Sequence, residues 1–134
     1  MIALAVALSL ASLTAASGAA PVTLTVRYSD GSAAGRVAHL RCRGDSAHAD
    51  GFLKGVGART VCRHARRSAA FLAARPSTKR ICTQIYGGPE HARITGTIGE
   101  QRIDRRFKRT DGCAIGDWAR AVPLLPRVRA GREP

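Results

Sequence analysis

The side chains that could act as general acids, general bases or nucleophiles are few and scattered in this sequence. No GxSxG, HExxH or P-loop pattern is present. The carboxylates lie in turn-like stretches, and no spacing pairs one of them with a histidine or a second carboxylate as acid and base. The four histidines stand apart from one another, at His39, His48, His64 and His91. We therefore predict a protein that is not an enzyme and that needs no cofactor.

The four cysteines indicate structural chemistry instead. They are Cys42, Cys62, Cys82 and Cys113, with 19, 19 and 30 residues between neighbours. Zinc sites use closely spaced ligand pairs such as CxxC, so this spacing predicts no metal site. In an exported chain an even number of cysteines indicates disulfides, and four cysteines allow three pairings.

Residues 1–20 favour export. The run is apolar and uncharged, and small residues precede Pro21. This is typical of a signal peptide, and we expect cleavage between Ser17 and Ala20. A membrane anchor is the alternative, but Ser, Thr and Gly dilute the run that would have to span the bilayer. We predict a secreted, extracellular protein with one domain over residues 21–126 and a flexible basic tail over residues 127–134, with no membrane contact after signal removal.

The charge is strongly positive. Nineteen arginines and three lysines oppose nine acidic residues, which gives a formal net charge of +13. Such a surface attracts polyanions. A solvated basic surface in a chain rich in Ala, Gly and Arg throughout is the alternative, and we favour it. A nucleic-acid platform is not indicated, because Arg105 and Arg106 point to opposite faces of a strand and the aromatic spacing of RNA-binding motifs is absent. We predict no specific nucleic-acid partner and keep a secreted basic polyanion-binding protein as an alternative function.

Alternation of apolar and polar residues predicts the strands. Two strands are expected near Val22–Tyr28 and Arg36–Arg43, on either side of a Ser-Asp-Gly-Ser turn. Two more are expected in residues 90–98 and 101–109, joined tightly at Gly99. The stretch that follows Arg43, "GDSAHADGF", has loop composition and is expected to be a loop.

Three- and four-residue spacing predicts one main helix from Thr60 to Arg75, which ends before Pro76. Its apolar stripe faces the sheet, while four arginines and His64 lie on the other side. The stretch "DGCAIGDWARAVPLLP" predicts a short helical turn that covers the core with Ile115, Trp118, Leu124 and Leu125. The expected fold is α+β, with one antiparallel sheet of about five strands covered by the main helix and the short C-terminal turn.

Several stretches together resemble one known family. "LTVRYSDG" and "VAHLRCRGD" resemble its first two strands, and Cys62 falls within the helix as it does there. "CTQIYGGP" resembles the family's Cys-x-x-x-Tyr segment, with Gly87-Gly88-Pro89 in place of an Asp-Pro turn. "GTIGEQRIDRRFKRTDGCAIGDW" resembles the closing hairpin and last cysteine. Between Val22 and Leu125 the chain is thus similar to the subtilisin inhibitor-like (SSI-like) family of secreted actinobacterial serine protease inhibitors.

The resemblance implies the disulfide pairings Cys42–Cys62 and Cys82–Cys113 and a homodimer formed through the sheet. It also implies inhibition of serine proteases of subtilisin type, or of trypsin type, by a substrate-like mechanism. By position, Gln84 would be the specificity residue and Gln84–Ile85 the reactive bond. The protease-contacting loop would further include Cys82, Thr83, Tyr86 and Gly87.

Overall fold

Five antiparallel strands form the single sheet of this protein. The computed structural model describes residues 19–129, so most of the expected signal peptide and residues 130–134 of the expected tail lie outside the described residues. The strand order is β3-β2-β1-β4-β5. The strands are β1 (Val22–Ser29), β2 (Arg36–Arg43), β3 (Ser46–Ala49), β4 (His91–Ile98) and β5 (Gln101–Phe107).

The two faces of the sheet differ because side chains alternate along each strand. One face is apolar and buried, and in β1 it consists of Val22, Leu24, Val26 and Tyr28. The helices α1 (Ala58–Arg67), α2 (Ala69–Ala73) and α3 (Gly112–Ala121) pack on this face. No described element covers the opposite face, which we call the open face and which exposes mainly threonine and arginine. The predicted α+β fold with one antiparallel sheet is confirmed.

The predicted main helix is interrupted near its middle. The expectation was one helix over residues 60–75, whereas the structure has α1 and α2 separated by Ser68. Ser68 has φ −98° and ψ 7°, outside the helical region, although its N–H still bonds the carbonyl of His64 at 2.9 Å. Serine side chains compete with the backbone for hydrogen bonds, and the Ser68 hydroxyl lies 3.4 Å from the ring of His64.

The helical arginines keep their expected outer position with one exception. Arg59, Arg63 and Arg67 are exposed, but Arg66 is half-buried and donates from Nε to the carbonyl of Ala20 at 2.8 Å. His64, expected on the arginine side, is also half-buried. Burial lowers the pKa of its imidazole, and the nearby charge of Arg67 lowers it further.

Two further expectations need correction. The loop expected after Arg43 contains the short edge strand β3, because the backbone of Ser46–Ala49 can pair with β2 whatever its side chains are. The C-terminal turn is longer than expected, a ten-residue helix α3. Its first turn is stabilised by Asp111, which accepts a hydrogen bond from the N–H of Ala114 at 2.8 Å. Of the four core residues expected there, Trp118, Leu124 and Leu125 are buried, whereas Ile115 is half-buried.

Two disulfides join the layers, and both pairings implied by the family resemblance are present. Cys42–Cys62 links β2 to α1, and Cys82–Cys113 links the segment before β4 to α3. They close separations of 20 and 31 residues. On the chain-entropy description, each contributes about 3–4 kcal/mol to the stability of the folded state.

Candidate functional site

The segment between α2 and β4 carries most of the exposed apolar surface. We call residues 81–90, "ICTQIYGGPE", the 81–90 loop; it has no regular secondary structure. Among described residues, five large hydrophobic side chains are exposed, and three of them lie here: Ile81 (101% exposed), Ile85 (62%) and Tyr86 (65%). Gln84 is exposed as well. Clustered exposed apolar side chains mark a surface that meets another molecule.

The N-terminal side of the loop is held by the residues at the start of α3. The Cys82–Cys113 disulfide brings the two Cα atoms to 5.3 Å. One residue on, the carbonyl of Thr83 accepts a hydrogen bond from the N–H of Gly112 at 2.9 Å. A Cβ at position 112 would lie 2.0 Å from the hydroxyl of Thr83, so a larger residue there would force the Thr83 side chain to move. Cys82 and Thr83 are therefore fixed next to α3.

The C-terminal side is held by Arg109 at two points. The N–H of Gly87 donates to the carbonyl of Arg109 at 2.7 Å, and the guanidinium of Arg109 donates back to the carbonyl of Gly87 at 2.6 Å. The same Nη1 reaches Glu90 at 2.9 Å. Arg109 is only 6% exposed, so these bonds are largely shielded from water. Gln84, Ile85 and Tyr86 thus span two anchored points.

Both glycines of the Gly-Gly-Pro turn are favoured by their surroundings, Gly87 by close packing and Gly88 by its backbone conformation. A Cβ on Gly87 would lie 2.9 Å from the side chain of Ile115 and 3.0 Å from the carbonyl of Arg109. Gly88 has φ +140°, which side-chain-bearing residues rarely adopt, and a Cβ there would meet the carboxylate of Glu90. Pro89 in turn packs against Gly31 in the β1–β2 turn. The double glycine thus lets the loop approach its scaffold closely.

A buried carboxylate ties the residues just before the loop to the sheet and to α3. Asp117 accepts two hydrogen bonds from Arg80, at 3.1 and 2.9 Å, and one from Arg105 at 3.2 Å. Arg105 is 5% exposed and also donates to the carbonyl of Phe71, whose ring lies 3.9 Å from the guanidinium carbon. Burial lowers the pKa of Arg105, and Asp117 opposes that effect.

Sequence patterns did not identify Asp117, Arg80 or Arg109 as residues that support the loop. Local spacing indicates which face of an element a residue occupies, but not which distant segment it meets. One signal was available: Arg105 alternates in phase with Ile103 and Phe107, which places an arginine on the apolar face of a strand. Arginine there needs a carboxylate partner. That argument would have led to a search for an acidic residue in the C-terminal helix.

The histidines are not brought together. His39 contacts the carboxylate of Asp50 at 3.0 Å on the exposed edge of the sheet, whereas His64 contacts Ser68 on the helical side. These two contacts belong to different faces of the molecule. His48 and His91 are exposed. The contacts of His39 and His64 therefore do not assemble a hydroxyl, an imidazole and a carboxylate into one site.

One cluster has the composition of a metal site but not the chemistry. Ligand atoms of Cys82, Asp111 and Cys113 lie within 4.8 Å of one another. Both sulfurs are in a disulfide, so neither is available as the thiolate that a metal requires. The carboxylate of Asp111 is already engaged in capping α3. The residues present do not fit a metal ion.

No protein-family model matches this chain, and no curated protein matches it. Within residues 19–129, none of the helices has the length and apolar character needed to cross a membrane.

Proposed function

We propose that this protein inhibits serine proteases by presenting the Gln84–Ile85 bond to the protease cleft as a substrate would. The observation that carries the proposal is the anchoring of the 81–90 loop. Three exposed residues, Gln84, Ile85 and Tyr86, lie between Thr83 and Gly87. Thr83 and Gly87 are themselves each hydrogen-bonded to the backbone of the 109–112 segment. The position of these residues agrees with the resemblance to SSI-like inhibitors. A secreted state, a subtilisin-type target and a homodimer through the sheet are parts of the same proposal.

Anchoring matters because a protease binds its substrate in one extended conformation. Ordering a free peptide costs about 1–2 kcal/mol per residue in backbone entropy. For Gln84, Ile85 and Tyr86 this amounts to about 3–6 kcal/mol, or roughly two to four orders of magnitude in affinity. In the folded protein the disulfide and the Arg109 contacts have already restricted these residues. The loop is therefore expected to bind more tightly than a free peptide of the same sequence.

Anchoring on both sides also favours religation after cleavage. Cutting Gln84–Ile85 would leave a new carboxylate one residue from Thr83, which is bonded to Gly112. The new amine would lie two residues from Gly87, which is bonded to Arg109. Because neither end is free to diffuse away, re-formation of the bond competes with release of the fragments. The protein then acts as an inhibitor rather than as a substrate.

The exposed apolar residues favour a protease with an apolar extended cleft. Ile85 directly follows Gln84, Ile81 lies three residues before it, and Gln84 itself carries no charge. A protease that demands a basic residue at the cleaved bond gains no ion pair from glutamine. A subtilisin-type protease is therefore the first target of the proposal and a trypsin-type protease the second.

The test is titration of the purified protein against subtilisin and trypsin, with residual activity as the readout. We expect stoichiometric loss of subtilisin activity. The variant Gln84→Arg should improve inhibition of trypsin at least tenfold, because the specificity pocket of trypsin pairs with a basic side chain. Gln101→Arg is the matched control, since it adds the same charge at an exposed position on β5. Rapid cleavage without inhibition, or an equal gain in both variants, would contradict the proposal.

A further inference from the structure

A groove lined by positive charge lies on the open face, at the end of the sheet nearest the 81–90 loop. Its volume is about 660 Å³, and it is formed by the ends of β1, β2, β4 and β5. We call it the arginine groove. No aspartate or glutamate among the described residues lines it. Four basic side chains of the open face do, those of Arg27, Arg93, Arg106 and Lys108; Arg36 also borders the groove, but its guanidinium lies over the ring of Tyr28 on the other face.

The register of the sheet places three of these arginines in one row. Arg27 on β1 is directly opposite Arg93 on β4, and Arg93 is directly opposite Arg106 on β5. Like charges in directly opposed positions destabilise a sheet. Of the three, only Arg93 is neutralised, because it donates two hydrogen bonds to the carboxylate of Asp104 at 2.8 and 2.9 Å. These bonds hold the pKa of Asp104 below its usual value. An anion bound across the row would relieve the repulsion.

A second copy of the chain does not supply the complementary charge. Eight of its nine acidic residues are described, and most are engaged within the molecule. Six of the eight accept hydrogen bonds from the protein's own groups: Asp30, Asp50, Glu90, Asp104, Asp111 and Asp117. If two copies met through their open faces, the arginine row of one copy would lie against the arginine row of the other. The partner of the groove must therefore bring its own dense negative charge.

We propose that the arginine groove binds a linear polymer of phosphate groups that carries no bases. Neighbouring strands are about 4.8 Å apart, so the row of three arginines spans about 10 Å at the backbone. A chain with about one charge every 3–4 Å, the density of a nucleic-acid strand, matches that row. Arginine also binds phosphate through two parallel hydrogen bonds, which lysine does not.

The absence of stacking surfaces distinguishes a phosphate polymer from a nucleic acid. Tyr28 and Phe107 are the two aromatic residues beside the groove, but their side chains belong to the buried apolar face of the sheet, and the residues are only 8% and 4% exposed. Arg36 covers the ring of Tyr28, with its guanidinium carbon 4.9 Å from the ring centre. Single-stranded nucleic acids are held by bases stacked on aromatic rings, and neither ring here is available for that. The ligand is thus recognised through its backbone charge alone.

The proposal does not depend on protease inhibition, because none of the loop contacts described above involves the arginine row. It does compete with a homodimer through the sheet, since both would use the open face. The test measures binding of inorganic polyphosphate to the full chain over a series of salt concentrations. The test variant is Arg27→Gln/Arg106→Gln, which leaves the Arg93–Asp104 pair intact. The matched control is Arg59→Gln/Arg63→Gln, which removes the same charge from the exposed side of α1. Thermal unfolding with and without polyphosphate is recorded for all three proteins.

We expect the groove variant to bind polyphosphate at least tenfold more weakly, with the salt dependence reduced by about two phosphate contacts. The control should lose less than threefold. Polyphosphate should raise the unfolding temperature of the wild type and the control but not of the groove variant. Equal losses in both variants would overturn the proposal in favour of diffuse charge. Equal affinity for oligothymidylate or a heparin fragment of matched charge would also overturn it. So would the finding that the wild type forms a dimer at low salt and the groove variant does not.

Discussion

Removal of the Cys82–Cys113 disulfide should convert the inhibitor into a substrate. On the chain-entropy description, a bridge across 31 residues contributes about 3.7 kcal/mol to stability at 25 °C. In Cys82→Ser/Cys113→Ser, the nearest remaining anchor on this side is the Thr83–Gly112 hydrogen bond, worth about 1 kcal/mol. The cleaved end that carries Gln84 would then leave its position faster than the bond re-forms. Hydrolysis should replace inhibition.

The assay incubates each protein with an equimolar amount of subtilisin and follows residual activity and fragment masses over time. Cys42→Ser/Cys62→Ser is the matched control, because its bridge closes 20 residues and contributes about 3.3 kcal/mol. That bridge lies at the opposite end of the sheet, about 20 Å from the loop at 3.3 Å per strand residue. Circular dichroism establishes a temperature at which both variants are folded.

The wild type and the control should keep subtilisin inhibited, whereas the test variant should release activity as it is cut between Gln84 and Ile85. If both disulfide variants release activity at the same rate, general instability and not tethering of the loop is responsible. If neither does, the disulfide is not needed to hold the cleaved ends, and the reasoning is refuted.

Two further changes test the supports around the loop and the core. Arg109→Met should lower the free energy of unfolding by about 3 kcal/mol in urea titrations, because it leaves the Glu90 carboxylate without its partner. Adding Glu90→Gln should recover part of the loss. A double variant no more stable than the single one would contradict this. The free energy of unfolding should fall as the pH drops below about 6.5, because the pKa of His64 is lowered in the folded protein and the unfolded chain then binds the extra proton. His64→Gln should reduce the dependence of the free energy of unfolding on pH, measured by urea titrations between pH 7.5 and 5. The exposed control His48→Gln should not reduce it. Identical pH dependence in wild type and His64→Gln would show that His64 does not contribute.

Local patterns predicted the elements that are well defined by periodicity. Alternation located β1, β2, β4 and β5 within one or two residues at each end. Residues 46–49 were missed because the stretch is only four residues long and contains no β-branched or aromatic residue, although exposed and half-buried residues alternate along it. The break at Ser68 was missed because the apolar stripe of the helix continues across it. Hydrophobic periodicity indicates which residues are buried. Neither the pairing of β3 nor the break at Ser68 changes which residues are buried, so periodicity could not reveal them.

The candidate site was predicted only in part. The family resemblance alone placed Gln84–Ile85 next to a disulfide, and the pairing Cys82–Cys113 that it implies is present. The supports on the other side were not predicted, since Arg109 meets Gly87 across 22 residues and Asp117 meets Arg80 across 37. Neither pair has a local signature. The roles of Gly87 and Gly88 were equally hidden, because they depend on the neighbours that approach Gly87 and on the positive φ of Gly88, and neither can be read from local spacing.

The amino-acid sequence by itself determined the α+β class and which alternate residues of β1, β2, β4 and β5 are buried. It also determined the position of the exposed loop between Cys82 and Gly87. These properties depend on neighbours within a few residues. Only the tertiary structure decided which carboxylate neutralises Arg105, how Arg109 holds the loop, and that Arg27, Arg93 and Arg106 stand in one row. Those contacts depend on strand order and on register between segments far apart in the chain. The packing of the whole core selects that order, and no single segment encodes it.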